Sequence, residues 1–367
     1  MLKPSVCIMT CRHRHDDVRI YHKEAKALRA RGYEVTILCP DYEGADSMGI
    51  RFIRIQPSQG QLGRLVSTPM RYIKAARESG AAFCHLCDPE LLPAGLRLRK
   101  RMKVTYDIQE DLPRRLLEGP DPRPRLSRCL EWFERRAVRR FYAVIAATKA
   151  LYERFVQINK RTVLVTGYPN PAEFSEPGRN APKRENAVCC LGTVREQRGI
   201  LELLDAVRDT GISLILAGEF ESPELQARCE SHPSWKNVRY LGYVDREEIR
   251  WILARVKAGL DLPYPLPKYQ ERPPVKMLEY MAAGVPVIVS GFPEWGEIAD
   301  SANCGFCVDP QNPEEIRASI LYIMEHPDAA RDMGRNGRRR VLEQFSWERE
   351  REKLFQLYPP PPGSEGL

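Results

Sequence analysis

Between Tyr269 and Ile288 the chain sets two carboxylates, Glu271 and Glu279, on either side of a lysine, Lys276. The prolines Pro273 and Pro274 suit a helix start, Gly284 suits the position just past a helix end, and Pro286 prevents continuation. The spacing therefore predicts a short helix from about Pro274 to Ala283. The N-terminus of a helix carries unpaired backbone N–H groups and the positive end of a dipole, and Lys276 in the first turn adds a full charge, which together make an anion site. Glu271 ahead of the helix and Glu279 within it can address different parts of one extended ligand. A packing helix with solvated charges has the same local pattern, so the surrounding elements must decide.

Those elements alternate. In the first half, apolar β-rich runs at Val6 to Thr10, Glu34 to Cys39, Ile50 to Ile55, Ala82 to Leu86, Lys103 to Ile108, Ala143 to Ala147 and Thr162 to Thr166 are separated by stretches of helical periodicity. These include Ile20 to Ala30, Thr68 to Glu78 and Arg125 to Phe141, and such alternation marks a parallel sheet covered by helices. From Gly167 to Asn186 the periodicity stops and turn formers take over. It resumes with strand-like runs at Val188 to Leu191, Ser213 to Ala217, Val238 to Leu241, Gly259 to Leu262, Pro286 to Ser290 and Gly305 to Val308, and Asp245 to Glu248 has the spacing of a capping box. Two such arrays in 367 residues predict an α/β chain of two Rossmann-like domains, with ligands at the carboxyl ends of the strands.

The Glu271 to Ile288 segment resembles the E-x7-E region of retaining family 4 glycosyltransferases of the GT-B fold, in the subgroup reading P-x-K-L-x-E-Y-M-A-A-G-x-P-V-I. In that family the first glutamate contacts the donor sugar and the second binds the ribose hydroxyls, which assigns those roles to Glu271 and Glu279. The Gly-rich turn common between them is here Arg272-Pro273-Pro274. Gly192-Thr193-Val194-Arg195-Glu196-Gln197-Arg198-Gly199 is similar to the family's diphosphate-binding loop, with Arg198 at the usual lysine position and Arg195 a substitute for the arginine often found where Thr193 stands. An Arg pair can neutralise a pyrophosphate in forked geometry. Tyr243 and Val244, after Leu241 and Gly242, resemble the base-binding edge. In the N-terminal half, Asp16-Asp17-Val18-Arg19-Ile20-Tyr21-His22-Lys23-Glu24 is similar to the subgroup's entry into its first helix, placing Asp16, Asp17 and Arg19 as acceptor-side candidates; helix capping by Asp is the alternative.

Two departures stand out. Relatives read H-x-H-D-P-E-L-L where this chain has Cys87 in His85-Leu86-Cys87-Asp88, and Y-D-x-H-E-D where it has Gln109 in Tyr106-Asp107-Ile108-Gln109-Glu110. Gln109 can hydrogen-bond a sugar hydroxyl but cannot carry a proton. Glu110 beside it is a further acceptor-side candidate. The resemblance implies two facing Rossmann-like domains with a C-terminal crossover helix: residues 1–168 for the acceptor, joined by the terminal helix 346–358, a linker at 169–183, a donor domain at 184–345, and a disordered tail at 359–367. It also implies a metal-independent reaction without cofactor, in which Lys276, Arg198 and the helix N-terminus stabilise the departing diphosphate. The acceptor expected is a glycan or a lipid-linked glycan of envelope or exopolysaccharide assembly. A sugar-nucleotide-binding partner protein without catalysis, and a nucleotide-sugar epimerase of the same fold, remain open alternatives.

Composition narrows the setting. A hydrophobic content of 43% with 29% charged residues is that of a globular protein, and the first residues lack the pattern of a secretory signal, so a cytoplasmic location is expected. Eleven cysteines fit reduced thiols, and the two C-x-x-C spacings fall in strand-like runs, where residues three apart point to opposite faces, so no metal site is expected. The net charge of +8 is uneven: residues 1–170 hold 32 Lys and Arg against 18 Asp and Glu. Along Arg125 to Phe141 the residues Leu126, Leu130, Phe133 and Ala137 predict a stripe packed on the sheet, while Arg128, Arg135 and Arg139 repeat on another face beside Trp132. That face suits peripheral docking on an anionic membrane. No nucleic-acid partner is expected, for the arginines lack aromatic interleaving.

Overall fold

A computed structural model describes residues 4–56, 58, 61–118, 122–174, 184–270 and 274–360. The chain divides into two compact units, one of residues 1–167 with 348–367 and the other of residues 168–347.

The first unit is an eight-stranded sheet of β1 (Ser5–Met9), β2 (Glu34–Cys39), β3 (Gly44–Ala45), β4 (Arg51–Arg54), β5 (Phe83–Leu86), β6 (Lys103–Ile108), β7 (Ala143–Ala146) and β8 (Thr162–Leu164). Its order is β3-β4-β2-β1-β5-β6-β7-β8, and only the two-residue β3 runs antiparallel to its neighbour. The strands read as apolar runs because helices cover both faces. The chain winds outward from β1 to one edge and then returns beside β1 to begin β5, so the loops after β1 and β5 meet at a topological switch point. The helix over this point begins as a π-helix, Val18–Ala25, before continuing as Lys26–Ala30.

The second unit repeats the plan with six parallel strands: β9 (Ala187–Leu191), β10 (Ser213–Ala217), β11 (Val238–Gly242), β12 (Ala258–Asp261), β13 (Val287–Ser290) and β14 (Gly305–Val308). The order β11-β10-β9-β12-β13-β14 puts its switch point between β9 and β12. The helix Val275–Ala282 follows β12, and Tyr280 docks it there. The buried phenol receives a hydrogen bond from Leu191 N at 3.1 Å and donates one to Leu260 O at 3.2 Å, linking the two strands at their carboxyl ends. A Cβ on Gly259 would lie 2.4 Å from the Tyr280 ring, so this approach needs a glycine in β12.

Several expectations are adjusted. The second helix of the first unit starts at Gln61 and carries Pro69 inside it, where the sequence reading began it at Thr68. The helix Leu112–Glu118 was not anticipated; it packs on Pro124–Val138. The buried face is Ser127, Glu134, Ala137 and Val138, whereas Leu126, expected against the sheet, is 50% exposed. Of the stretch read as a linker, the short 3-10 helix Pro171–Glu173 and the buried Phe174 belong to the second unit, and residues 175–183 lie outside the described residues. The terminal helix, Trp347–Phe355, lies on the first unit over most of its length, and within the tail residues 361–367 lie outside the described residues.

Candidate functional site

At the switch point of the second unit the β9 loop and the helix after β12 converge on one glycine. Gly192 has φ +107°, and a Cβ built on it would lie 3.2 Å from Arg198 Nη1 and 3.6 Å from Lys276 Cε. Both cations therefore crowd the same small-residue surface, where a side chain would strain the backbone and displace them. Behind it Gly218 packs so closely that a Cβ there would fall 2.0 Å from Gly192 O. Asp261, buried at the end of β12, supports the pair. Burial works against the charge of Arg198, and Asp261 together with Cys190, Tyr269 and Tyr280 more than offsets this, while burial pushes the Asp261 carboxyl up against the pull of Arg198 and Lys276. The helix Val275–Ala282 begins without a side-chain cap, adding its N–H groups to two cations.

Glu279 sits one turn into that helix with its side chain 2% exposed. Lys276 Nζ donates to its Oε2 at 2.9 Å, and Arg246 Nη1 donates to its Oε1 at 2.6 Å. Arg246 Nε in turn donates to Glu173 Oε2 at 2.6 Å. The order Glu173, Arg246, Glu279, Lys276 alternates in sign, so each buried charge has an opposite neighbour. Pro274 is buried at the start of the helix. Thr193 and Arg195 are exposed, and the nearest carboxylate to Arg195 is Glu221 at 3.9 Å. Tyr243 is exposed beyond the end of β11, with Val244 half-buried beside it. Glu271 lies outside the described residues. Arg246, Asp261 and Tyr280 were not singled out from sequence. Arg246 had one available signal, a cation in the first turn of a helix inside its capping box, where the dipole disfavours it.

The switch point of the first unit is built differently. Asp17 caps the helix by accepting from Arg19 N and Ile20 N, both at 2.9 Å, and lies 3.2 Å from His13 Nδ1. His13 Nε2 stands 3.5 Å from Asp88, whose other oxygen accepts from Thr10 Oγ1 at 2.8 Å and Cys11 N at 2.6 Å. Burial opposes the His13 charge, but Asp17 and Asp88 overcome it and raise its pKa. Asp16 pairs with Arg14, and Glu110 is exposed and paired with Arg115. Gln109 donates through Nε2 to Asp107 Oδ2 at 3.1 Å.

Arg19 is turned inward. Its guanidinium makes two hydrogen bonds to Asp107, a third from Nη1 to Val165 O at 2.9 Å, and an ion pair with Glu24 at 3.2 Å. Expected as an acceptor-side candidate, it is buried in this set of contacts within the first unit. His85 continues the web, with Nε2 3.2 Å from Glu24 and Nδ1 2.8 Å from the hydroxyl of Tyr358. Among the described residues, His85, Cys87 and Asp107 are the three metal-type ligands that lie close together. Arg19 already supplies the cation on Asp107, and a metal ion there would meet that positive charge directly.

On the helix Pro124–Val138 the residues Arg128, Arg135 and Arg136 are exposed, as are Arg139 at its C-cap and Arg140 beyond it, and Trp132 is 62% exposed with Arg136 over its ring. No helix among the described residues is long and apolar enough to cross a membrane. The eleven cysteines are free thiols.

Comparison with known proteins agrees with this construction. Residues 19–170 match the model described as a glycosyl transferase 4-like domain, and residues 172–340 match glycosyl transferases group 1. The chain is 25% identical over 174 residues to glycogen synthase of Mycobacterium tuberculosis, covering 46% of this chain and 41% of that protein. It is 26% identical over 265 residues to the D-rhamnosyltransferase WbpZ of Pseudomonas aeruginosa, covering 68% of this chain and 65% of that one. The chain thus spans less than two thirds of the length of either relative. Sucrose-phosphate synthase from Thermosynechococcus elongatus superposes with a TM-score of 0.72 at 19% identity, over 97% of this chain and 98% of that one. The fold is GT-B: two parallel-sheet α/β units of glycosyltransferase type.

Proposed function

We propose that this GT-B chain is a retaining glycosyltransferase that moves a sugar from a nucleotide-sugar donor to a glycan or lipid-linked acceptor in envelope or exopolysaccharide assembly. The observation that carries it is the convergence of Arg198 and Lys276 on Gly192 at the switch point of the second sheet, with the buried carboxylate of Glu279 alongside. Two cations and a helix N-terminus answer the charge that develops on a departing diphosphate, and they are held in place before it develops. This supports catalysis without metal. Glu279 is suited to the ribose, the Tyr243 and Val244 edge to the base, Glu271 to the sugar, and Arg195 and Thr193 to the outer rim of the diphosphate. The Asp16 and Asp17 loop and Glu110 of the first unit are the acceptor-side groups.

Retention by front-face departure of the diphosphate asks for no side-chain base, which accommodates Gln109. The arginine face of Pro124–Val138 favours work beside an anionic membrane, where a lipid-linked acceptor would be held.

A second reading has one observation in its favour. The amide of Gln109 is already engaged by Asp107, as suits a sugar-nucleotide-binding partner without turnover. A thermal-shift panel of nucleotide sugars tests the main reading. The true donor at a hundredfold its Kd should add about 2.7 kcal/mol of stability, and release of its diphosphate on adding acceptor separates an enzyme from a binder. If no nucleotide sugar moves the midpoint, both readings fail.

A further inference from the structure

Arg246 is placed against the usual preference of its position. It is the first residue of the helix Arg246–Leu253, inside the Asp245/Glu248 capping box, where a positive side chain opposes the helix dipole. It is nonetheless buried, with its side chain only 7% exposed, and three groups fix it: Glu173 on Nε, Glu279 on Nη1, and the ring of Phe174 at 5.4 Å. Its remaining nitrogen, Nη2, is buried with no hydrogen-bond partner. An unmet donor on a buried charge is costly, and such a group beside a ligand-type carboxylate is answered when a ligand supplies the acceptor.

We propose that Arg246 is a donor-site residue that reads the ribose hydroxyls jointly with Glu279, an inference that rests on the nucleotide-sugar reading above. A hydroxyl both donates and accepts. The Glu279 carboxylate accepts a hydrogen bond from one hydroxyl, and Nη2 of Arg246 donates to a hydroxyl oxygen of the same diol. The 2.6 Å ion pair holds these complementary groups side by side, and the Glu173 anchor keeps the guanidinium from following the ligand. A site built this way rejects an analogue lacking the hydroxyl, because both groups are then left unanswered. Ribose is thereby selected over 2′-deoxyribose, while the diphosphate is held separately at Arg198 and Lys276.

Calorimetric titration of the full chain is the test. The probes are UDP, GDP, ADP and CDP, the 2′-deoxy form of whichever binds best, and inorganic pyrophosphate. The wild type should prefer the ribo form by about tenfold or more, as for a hydrogen bond to a charged group. Arg246→Gln should lose most of that preference and keep its pyrophosphate affinity. Arg246→Lys preserves the charge on Glu279 without the second fork nitrogen, and should stay folded while losing the preference. A wild type that binds the diphosphates without preferring ribose overturns the proposal, as does an Arg246→Lys protein that keeps the full preference. A uniform fall in nucleotide and pyrophosphate affinity in both variants assigns Arg246 a structural role only. Failure of the wild type to bind any nucleoside diphosphate removes the nucleotide-sugar reading itself.

Discussion

Arg19 and Asp107 form a two-bond pair, at 2.8 and 2.7 Å, between the helix over the first switch point and the end of β6. Both are buried, and Glu24 and the carbonyl of Val165 complete the arginine's coordination. Removing one partner leaves the other charge buried without compensation, which costs about 3 to 5 kcal/mol. Arg19→Met should therefore lower the urea midpoint strongly, and Asp107→Asn should do likewise. The two losses should be far from additive, because the double variant buries no orphan from this pair. Additive losses would show that the pair is not coupled.

The anion site makes a different demand, on binding instead of folding. Lys276→Ala and Arg198→Ala each remove a charge beside Gly192, and each should weaken nucleoside diphosphate binding by about tenfold or more. Gly192→Ala should weaken it as well, since a side chain at φ +107° is strained and sits 3.2 Å from Arg198. Titration with the diphosphate and with the free nucleoside separates the effects. Equal losses for both would argue that these residues shape the fold and do not hold the diphosphate.

How much of this was legible in the sequence depends on the range of the interaction. Buried parallel strands appear as continuous apolar runs, so β1, β2, β6 and β10 could be read within a residue of their observed bounds. The Asp245 cap was legible because its partner Glu248 is three residues away. Arg246 was not, because its meaning lies in Glu279 and Glu173, 33 and 73 residues off. The start at Gln61 was hidden by Pro69, which reads as a first-turn proline though it lies within the helix. On Pro124–Val138 the apolar spacing misled, for the helix buries Glu134 to meet Tyr106 and Arg154 and leaves Leu126 in solvent.

That buried carboxyl gives a pH dependence of stability. Arg154 is shared among Asp111, Glu131 and Glu134, so it offsets only part of the burial that pushes Glu134 from its ordinary 4.5 up to about 7. The folded state then keeps a proton that the unfolded chain has released. Stability from this group therefore falls as pH rises from about 4.5 to about 7, by up to about 3 kcal/mol. Glu134→Gln should flatten that part of the profile in urea titrations at pH 5, 6 and 7.5. Parallel profiles for variant and wild type would rule out the raised carboxyl.

Turnover is expected to survive chelation. In the proposed reaction Arg198, Lys276 and the start of the helix Val275–Ala282 would answer the diphosphate, and the sequence contains no Asp-x-Asp pair. Excess EDTA should leave the rate of diphosphate release unchanged. Loss of activity restored by Mg²⁺ or Mn²⁺ would sink the metal-free mechanism.

The last expectation concerns the arginine face of Pro124–Val138. Arg128 and Arg135 are exposed along it and Arg139 at its C-cap, and Trp132, four residues from Arg128 and so on the same side, is 62% exposed. An aromatic ring among cations suits the boundary of a bilayer, where the ring sinks between headgroups while the guanidinium groups meet phosphate. Each basic residue near an anionic surface adds about 1 kcal/mol, so the exposed arginines Arg128, Arg135, Arg136, Arg139 and Arg140 are expected to support reversible docking. Salt should weaken it, because the charges are in solvent. In flotation with liposomes, recovery should require anionic lipid, fall with added salt, and fall again in Arg128→Glu/Arg135→Glu/Arg139→Glu. Trp132→Ala should reduce recovery without changing the salt dependence, since it removes the inserted group and leaves the charges. Equal recovery on neutral and anionic vesicles, or none affected by the triple change, would eliminate this surface as the docking face.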